Sequence, residues 1–453
     1  VNIRALLFLS LASCFLTLPS AAAGRPNVLF FLVDDLGWAD LGCYGSTLHE
    51  TPHIDKLAAS GLRFTDAYTA ASICSPTRAA IMSGKHPVRV NITDWIPGRT
   101  PPKSSKLSTP QDIHQLPLKE VTIGEAFKER GYATYYTGKW HLGGKGFSPD
   151  KQGFDTYYDP HQDSSKGSPG KGKTRRRKHG TLEITDETIK FIKDRGPGNA
   201  PFFAYVAYYD VHTPIIPVKE RLAHYQAKVD KLGPGPDPIA EHDGKSRPRQ
   251  DNAAYATMVE AVDESVGAIL ATLDELEIAD NTIVVFSSDN GGLCTLGRGP
   301  GPTCNLPLRA SKGWLYEGGI RVPLIIRAPG QDLSRPTTPY LVTSMDLYPT
   351  LLSLAGLPAR PKQHVDGEDF SPIVKGAMIK RSPRQLYWHY PHYHGSTWTP
   401  GAAIRDGHWK LVEFYHYGGH ELYDLNQDPG ELRDLSKSHP EVAAGLLKKL
   451  HAW

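Results

Sequence analysis

Residues 27–35, Asn-Val-Leu-Phe-Phe-Leu-Val-Asp-Asp, decide the fold. From Asn27 to Val33 the chain is uncharged, of strand length, and apolar without alternation, as a strand buried on both faces of a parallel sheet requires. The run stops at Asp34 and Asp35, which places two carboxylates at the strand's carboxyl end. The pattern recurs at Pro201 to Tyr209, which runs into Asp210 and His212, and at Thr282 to Ser288, which runs into Asp289, Asn290, Gly291 and Gly292. Helical patterns lie between these runs, at Ile54 to Ala59, Thr122 to Arg130, Thr185 to Lys193 and Tyr255 to Leu276. Strands alternating with helices predict an α/β sheet, and in such sheets ligands bind outside the strand carboxyl ends.

After Gly367 the character changes. Strand-like pieces at Gln385 to Tyr390, Ala402 to Ile404 and Trp409 to Phe414 are separated by turns and followed by a helical end, Pro440 to His451. This predicts a small antiparallel sheet packed with a C-terminal helix. The chain thus divides into residues 1–23, a catalytic-scale unit at 24–375 and a subdomain at 376–453. Arg4, the apolar stretch Ala5 to Leu18 and the small residues Ala21 to Ala23 read as an export signal, cleaved near Gly24. Leu11-Ala12-Ser13-Cys14 offers a lesser alternative, a lipoprotein anchor on Cys14. No later segment approaches the roughly 18 apolar residues of a membrane span. The expected location is therefore the periplasm or the exterior.

The 453 residues carry a formal charge of only +3 and are 40% hydrophobic, which describes a globular chain and gives no reason to expect nucleic acid as a partner. Export would permit a disulfide, and Cys294 and Cys304 are the plausible pair because they flank the Gly/Pro-rich stretch 297–302. Residues 161–180, with the run Arg175-Arg176-Arg177-Lys178, and residues 233–250 read as exposed loops. The basic run either attracts a polyanion or is solvated surface.

Four stretches carry chemistry. Cys74-Ser75-Pro76-Thr77-Arg78, followed by Ser83-Gly84, sets a lone cysteine beside an arginine where a helix begins; the plainer alternative is a buried cysteine before a proline-started helix. Asp34, Asp35, Asp289 and Asn290 are hard oxygen donors suited to Ca²⁺ or Mg²⁺, although each pair also suits a helix cap or a turn. In Gly138-Lys139-Trp140-His141, the lysine and histidine are two residues apart and project to one side of an extended chain. His212 follows a buried strand, and Lys312 lies in Arg309-Ala310-Ser311-Lys312-Gly313.

Together these stretches resemble the sulfatase family, over most of residues 25–370 and more weakly beyond. The resemblance implies an alkaline-phosphatase-like fold: a large mixed, mostly parallel sheet sandwiched by helices. It implies that a formylglycine-generating enzyme oxidises Cys74 to formylglycine. Calcium, with magnesium as the alternative, would be held by Asp34, Asp35, Asp289, Asn290 and the residue at 74. Cys74, Arg78, Lys139, His141, His212 and Lys312 would carry catalysis on a sulfated carbohydrate or aryl sulfate. Two other readings stand beside this one: a phosphonate or phosphodiester hydrolase with the same apparatus, and a secreted glycan-binding protein without turnover. The cluster Trp388-His389-Tyr390-Pro391-His392-Tyr393-His394 either faces a sugar or packs as an edge strand and turn.

Overall fold

The computed structural model describes residues 24–161, 180–379 and 384–453. The export segment and the basic run 175–178 lie outside the described residues. Eight strands form the central sheet: β1 (Asn27–Val33), β2 (Leu62–Phe64), β3 (Ala133–Gly138), β4 (Thr156–Tyr158), β5 (Phe202–Ala207), β6 (Thr282–Ser288), β7 (Leu324–Arg327) and β8 (Thr337–Thr338), in the spatial order β8-β2-β7-β6-β1-β5-β3-β4. Only β7 runs against its neighbours, so the sheet is mixed and mostly parallel. The sequence reading did not anticipate β7; four residues are too few for a pattern, and pairing with β6 and β2 supplies what periodicity cannot.

β1 lies at the middle with all seven residues buried. Val28, Phe30 and Leu32 enter one apolar cluster, and Leu29, Phe31 and Val33 enter another. Each cluster is closed by helices. Pro52–Ala59 (α1), Gly180–Arg195 and Ala253–Glu275 cover the second face, and Cys74–Ser83, Ile123–Lys128 and Leu347–Leu354 cover the first. The uninterrupted apolar runs are thus explained by a sheet with two covered faces. The Gly180–Arg195 helix begins five residues before the expected Thr185. Threonine is a weak helix former, yet Thr185 and Thr188 each donate to the carbonyl four residues back at 2.7 Å, which satisfies their hydroxyls inside a buried helix.

Four consecutive strands, Gln385–Tyr390, Gly401–Asp406, Trp409–Phe414 and His420–Asp424, form the antiparallel sheet expected near the C-terminus. One face packs Ala402, Ile404, Leu411 and Leu422 on Ala443, Leu446 and Leu450 of the Pro440–Ala452 helix. The other packs Leu386, Trp388 and Val412 against Tyr68, Trp314 and Tyr316 of the large unit. Trp388 and Tyr390 are therefore core residues, and most of the 388–394 cluster is packed edge strand and the turn that follows it.

Two loop expectations change. Residues 239–241 and 244–246 form a hairpin joined by Thr295–Leu296. Cys294 and Cys304 are free thiols. The stretch between them is held instead by backbone bonds, Gly301 N–H to Cys294 O at 2.9 Å and Thr303 N–H to Leu293 O at 3.3 Å, while the Cys294 thiol donates to Ala310 O at 2.9 Å. Among the described residues no helix is long and apolar enough to cross a membrane.

Candidate active site

The adjacent strands β1 and β6 are in register at Val33 and Ser288, so their carboxyl ends deliver Asp34, Asp35, Asp289 and Asn290 side by side. All four are buried. Each carboxylate has its own cation: Lys139 Nζ on Asp34 Oδ2, Lys312 Nζ at 2.7 Å from Asp35 Oδ1, and Arg78 Nε at 2.8 Å from Asp289 Oδ2. Burial is the largest influence and alone would raise Asp34 and Asp35, but the surrounding cations together outweigh it, Lys139 foremost for Asp34 and Lys312 for Asp35, so both carboxyls are lowered, Asp34 well below the usual carboxylate range. Asp289 goes the other way. Burial, reinforced by Asp34, pushes it up to about 7 despite Arg78.

Asp34 Oδ1 and Asn290 Oδ1 are buried and have no hydrogen-bond partner among the described residues. Asn290 is fixed in this pose because its Nδ2 donates to Asp35 Oδ1 at 2.8 Å and to Gly291 O at 3.0 Å. A buried acceptor without a donor costs on the order of 1–3 kcal/mol, and two such oxygens beside further carboxylates fit a hard divalent cation. His212 Nε2 lies 3.7 Å from Asp35 Oδ2, and its ligating atom falls within 4.8 Å of those of Asp34 and Asp35. The oxygen-rich donor set favours calcium or magnesium over a softer metal.

Cys74 is the first residue of its helix, which starts two residues before Pro76. Burial pushes the thiol up, and Lys139 and Lys312 offset only part of that, so the side chain as encoded is a protonated thiol and a poor nucleophile. Lys139 is placed by Gly138: its backbone has φ 87°, and a Cβ there would lie 1.8 Å from Ala207 O. Asp35 and His141 take the left-handed conformation at φ 64° and 57°, a cost of about 1–3 kcal/mol for each non-glycine residue that the surrounding contacts must hold. His141 Nε2 donates to Ile96 O at 2.5 Å, and Nδ1 is buried and unpartnered among the described residues. Burial and then Lys139 bring its imidazole down to about 3, so it is neutral.

These groups surround a cavity of about 620 Å³. Asp34, Cys74, Lys139, His141, His212 and Lys312 line it; behind that wall Asp35 accepts from Lys312 and from Asn290, and Arg78 donates to the Lys139 carbonyl and to Asp289. Every site residue expected from sequence is thus brought to one place. Sequence reasoning missed Trp95, Arg99 and Tyr209, which also line the cavity. Nothing in their local pattern marks them, since chain segments far apart bring them in. His394 lines it too, the one member of the His/Tyr cluster that faces the site; its Nδ1 lies 2.7 Å from Ser396 Oγ, and burial with Lys312 brings it down to about 3.

The sulfatase family profile matches residues 26–357, and a profile described as "N-sulphoglucosamine sulphohydrolase, C-terminal" matches residues 310–453. A sulfatase of Formosa agariphila is 31% identical, over 95% of this chain and 88% of that protein. Human arylsulfatase A is also 31% identical, over 94% of this chain and 87% of that protein. Among solved structures, Ps i-CgsB in complex with k-i-k-neocarrahexaose superposes with a TM-score of 0.75 at 29% identity, covering 95% of this chain and 92% of that one. On this match and the site just described, the chain belongs to the sulfatase family.

Proposed function

We propose that this sulfatase hydrolyses sulfate esters on carbohydrates, using a formylglycine made from Cys74 and a calcium ion, or magnesium in its place, after export to the periplasm or the exterior. One observation carries the reading: two buried ammonium groups, Lys139 and Lys312, a neutral His141 and residue 74 converge on a single cavity, with the unpartnered Asp34 carboxylate oxygen in its wall and the unpartnered Asn290 amide oxygen behind it. An anion entering there meets positive charge already in place.

Asp34, Asp35, Asp289 and Asn290 would hold the cation, which when bound supplies charge that draws electron density from the sulfuryl oxygens. Oxidised and hydrated, position 74 supplies two hydroxyls, one to attack sulfur and one whose deprotonation restores the aldehyde and releases sulfate. Arg78 braces this end of the site through Asp289 and the Lys139 carbonyl, which also accepts Tyr136 OH at 2.6 Å. Lys139 and Lys312 hold the sulfate oxygens and offset their charge. His212 Nδ1 donates to Thr213 O at 2.6 Å, so Nε2 faces the departing alcohol oxygen and passes it a proton from the imidazolium form, which carries a proton on both nitrogens. His141 has Nε2 committed to Ile96 O, so Nδ1 carries the lone pair that accepts the proton from the second hydroxyl.

The name of human arylsulfatase A points to aryl sulfates, and the neocarrahexaose complex among the solved structures favours a carbohydrate. The test is sulfate release from an aryl sulfate and a panel of sulfated oligosaccharides, beside a phosphonate monoester, using protein coexpressed with a formylglycine-generating enzyme. Sulfate release absent from Cys74→Ala supports the proposal. Hydrolysis of the phosphonate alone would replace it with the phosphonate reading, and no turnover of any ester by matured protein would replace it with a binding role.

A further inference from the structure

The active-site cavity does not end at the reacting centre. A second cleft, of about 540 Å³, adjoins it and shares Arg99, Leu296, His394 and Gly395 with it, so the two form one groove. The far part presents Arg298, Tyr393 and His416. Its wall is fixed: Tyr393 is buried, its hydroxyl accepts the Lys106 and Leu107 N–H groups at 3.2 Å each, and it lies 2.8 Å from His416 Nδ1.

Arg99 and Arg298 are both exposed, and among the described residues neither guanidinium has a hydrogen-bond or carboxylate partner. The one carboxylate in the far cleft, Asp243, accepts a hydrogen bond from Tyr417 OH and is paired with neither arginine. Arg99 stands at the junction of the two clefts. A Cβ at Gly395 would lie 3.1 Å from its Nη1, so glycine there gives the guanidinium room to face the groove. Two unpaired guanidinium forks over a preformed cleft match the bidentate geometry of sulfate or carboxylate.

From this groove we infer that the enzyme takes an oligosaccharide bearing a second anionic group, which Arg99 and Arg298 hold while the scissile sulfate sits among Lys139, Lys312 and residue 74. The inference rests on the proposed function and extends it from a sulfate ester to a chain with at least two anions. The distal anion is a sulfate or a uronate carboxylate; both present paired oxygens to a guanidinium.

The test uses Cys74→Ala protein, which binds without turnover, in calorimetric titrations with three probes: galactose 6-sulfate, a disulfated carrageenan tetrasaccharide and a chondroitin tetrasaccharide carrying a single 6-sulfate. At least one tetrasaccharide is expected to bind tenfold or more tightly than the monosaccharide. Adding Arg99→Ala and Arg298→Ala removes most of that gain, and the two lysine replacements retain part of it. A gain with the carrageenan probe assigns the distal group as sulfate, and a gain confined to the chondroitin probe assigns it as carboxylate. Equal affinity for all three probes, no binding of any, or a gain that survives in the double alanine variant would overturn the inference. Aryl sulfate turnover by matured wild type, measured in parallel, separates that failure from failure of the sulfatase chemistry.

Discussion

Arg78 approaches Asp289 with two nitrogens, Nε and Nη2, each 2.8 Å from the same Oδ2, and both side chains are fully buried. The pair joins the helix that begins at Cys74 to the carboxyl end of β6. Removing Arg78 lets Asp289, already raised to about 7, take up a proton, so the loss stays below the about 3–5 kcal/mol of an uncompensated buried charge. Arg78→Ala should therefore lower the urea midpoint of unfolding by less than that equivalent and abolish turnover. Arg78→Lys keeps the charge and loses the two-nitrogen approach, so it should recover most of the stability and little of the activity. Full activity in Arg78→Lys would show that the guanidinium geometry is dispensable.

Cation binding should depend on pH with a definite sign. In the cation-free protein Asp289 is raised to about 7, above its value in the unfolded chain, so its contribution to stability is complete at low pH and is lost as pH rises toward 7. Asp34 and Asp35 are held low, and their contribution is lost only in strong acid. A cation needs Asp289 ionised and displaces its proton. The rise in melting temperature on adding calcium should therefore be larger at pH 8 than at pH 5. Asn290→Ala, which removes one unpartnered oxygen, should shrink the rise at both. A calcium shift that is equal at both pH values, or unchanged in Asn290→Ala, would contradict this assignment. Chelation should abolish turnover, and added calcium or magnesium should restore it.

His141 is expected to stay neutral through the working range, since burial and Lys139 bring it down to about 3. Nitrogen-edited NMR should find its proton on Nε2 and no titration between pH 5 and 8. His141→Ala should lower turnover by roughly a hundredfold or more, as loss of a general base does. A titration of His141 near neutral pH would remove the basis for its assigned role.

Thiol counting checks the loop between Cys294 and Cys304. Alkylation of matured, unfolded protein without reductant should label Cys43, Cys294 and Cys304. Labelling of Cys43 alone would mean that the pair is oxidised.

The central architecture was legible because β1, β5 and β6 are apolar on both faces and each ends on polar groups; a run such as Asn27–Val33 has few other places to go. The ligand and catalytic candidates were legible because they follow those strand ends or lie in compact motifs, as Lys139 and His141 do. β7 and the His420–Asp424 strand were not, because short antiparallel strands are defined by partners distant in sequence. Arg99 and His394 were missed as a pair for the same reason. Nothing in sequence links residues 295 positions apart, yet Gly395 brings its neighbour's loop against Arg99. The disulfide expectation rested on export and on the Gly/Pro-rich loop that Cys294 and Cys304 flank, and sequence does not show the backbone bonds that already close that loop.

The most direct test of the account is the initial rate of sulfate release set against the fraction of chains carrying aldehyde at position 74. Protein is prepared with graded coexpression of the formylglycine-generating enzyme, and the peptide containing residue 74 is quantified by mass spectrometry. The account predicts a rate proportional to the aldehyde fraction and none in Cys74→Ala. Equal turnover by protein that retains only the thiol would contradict it.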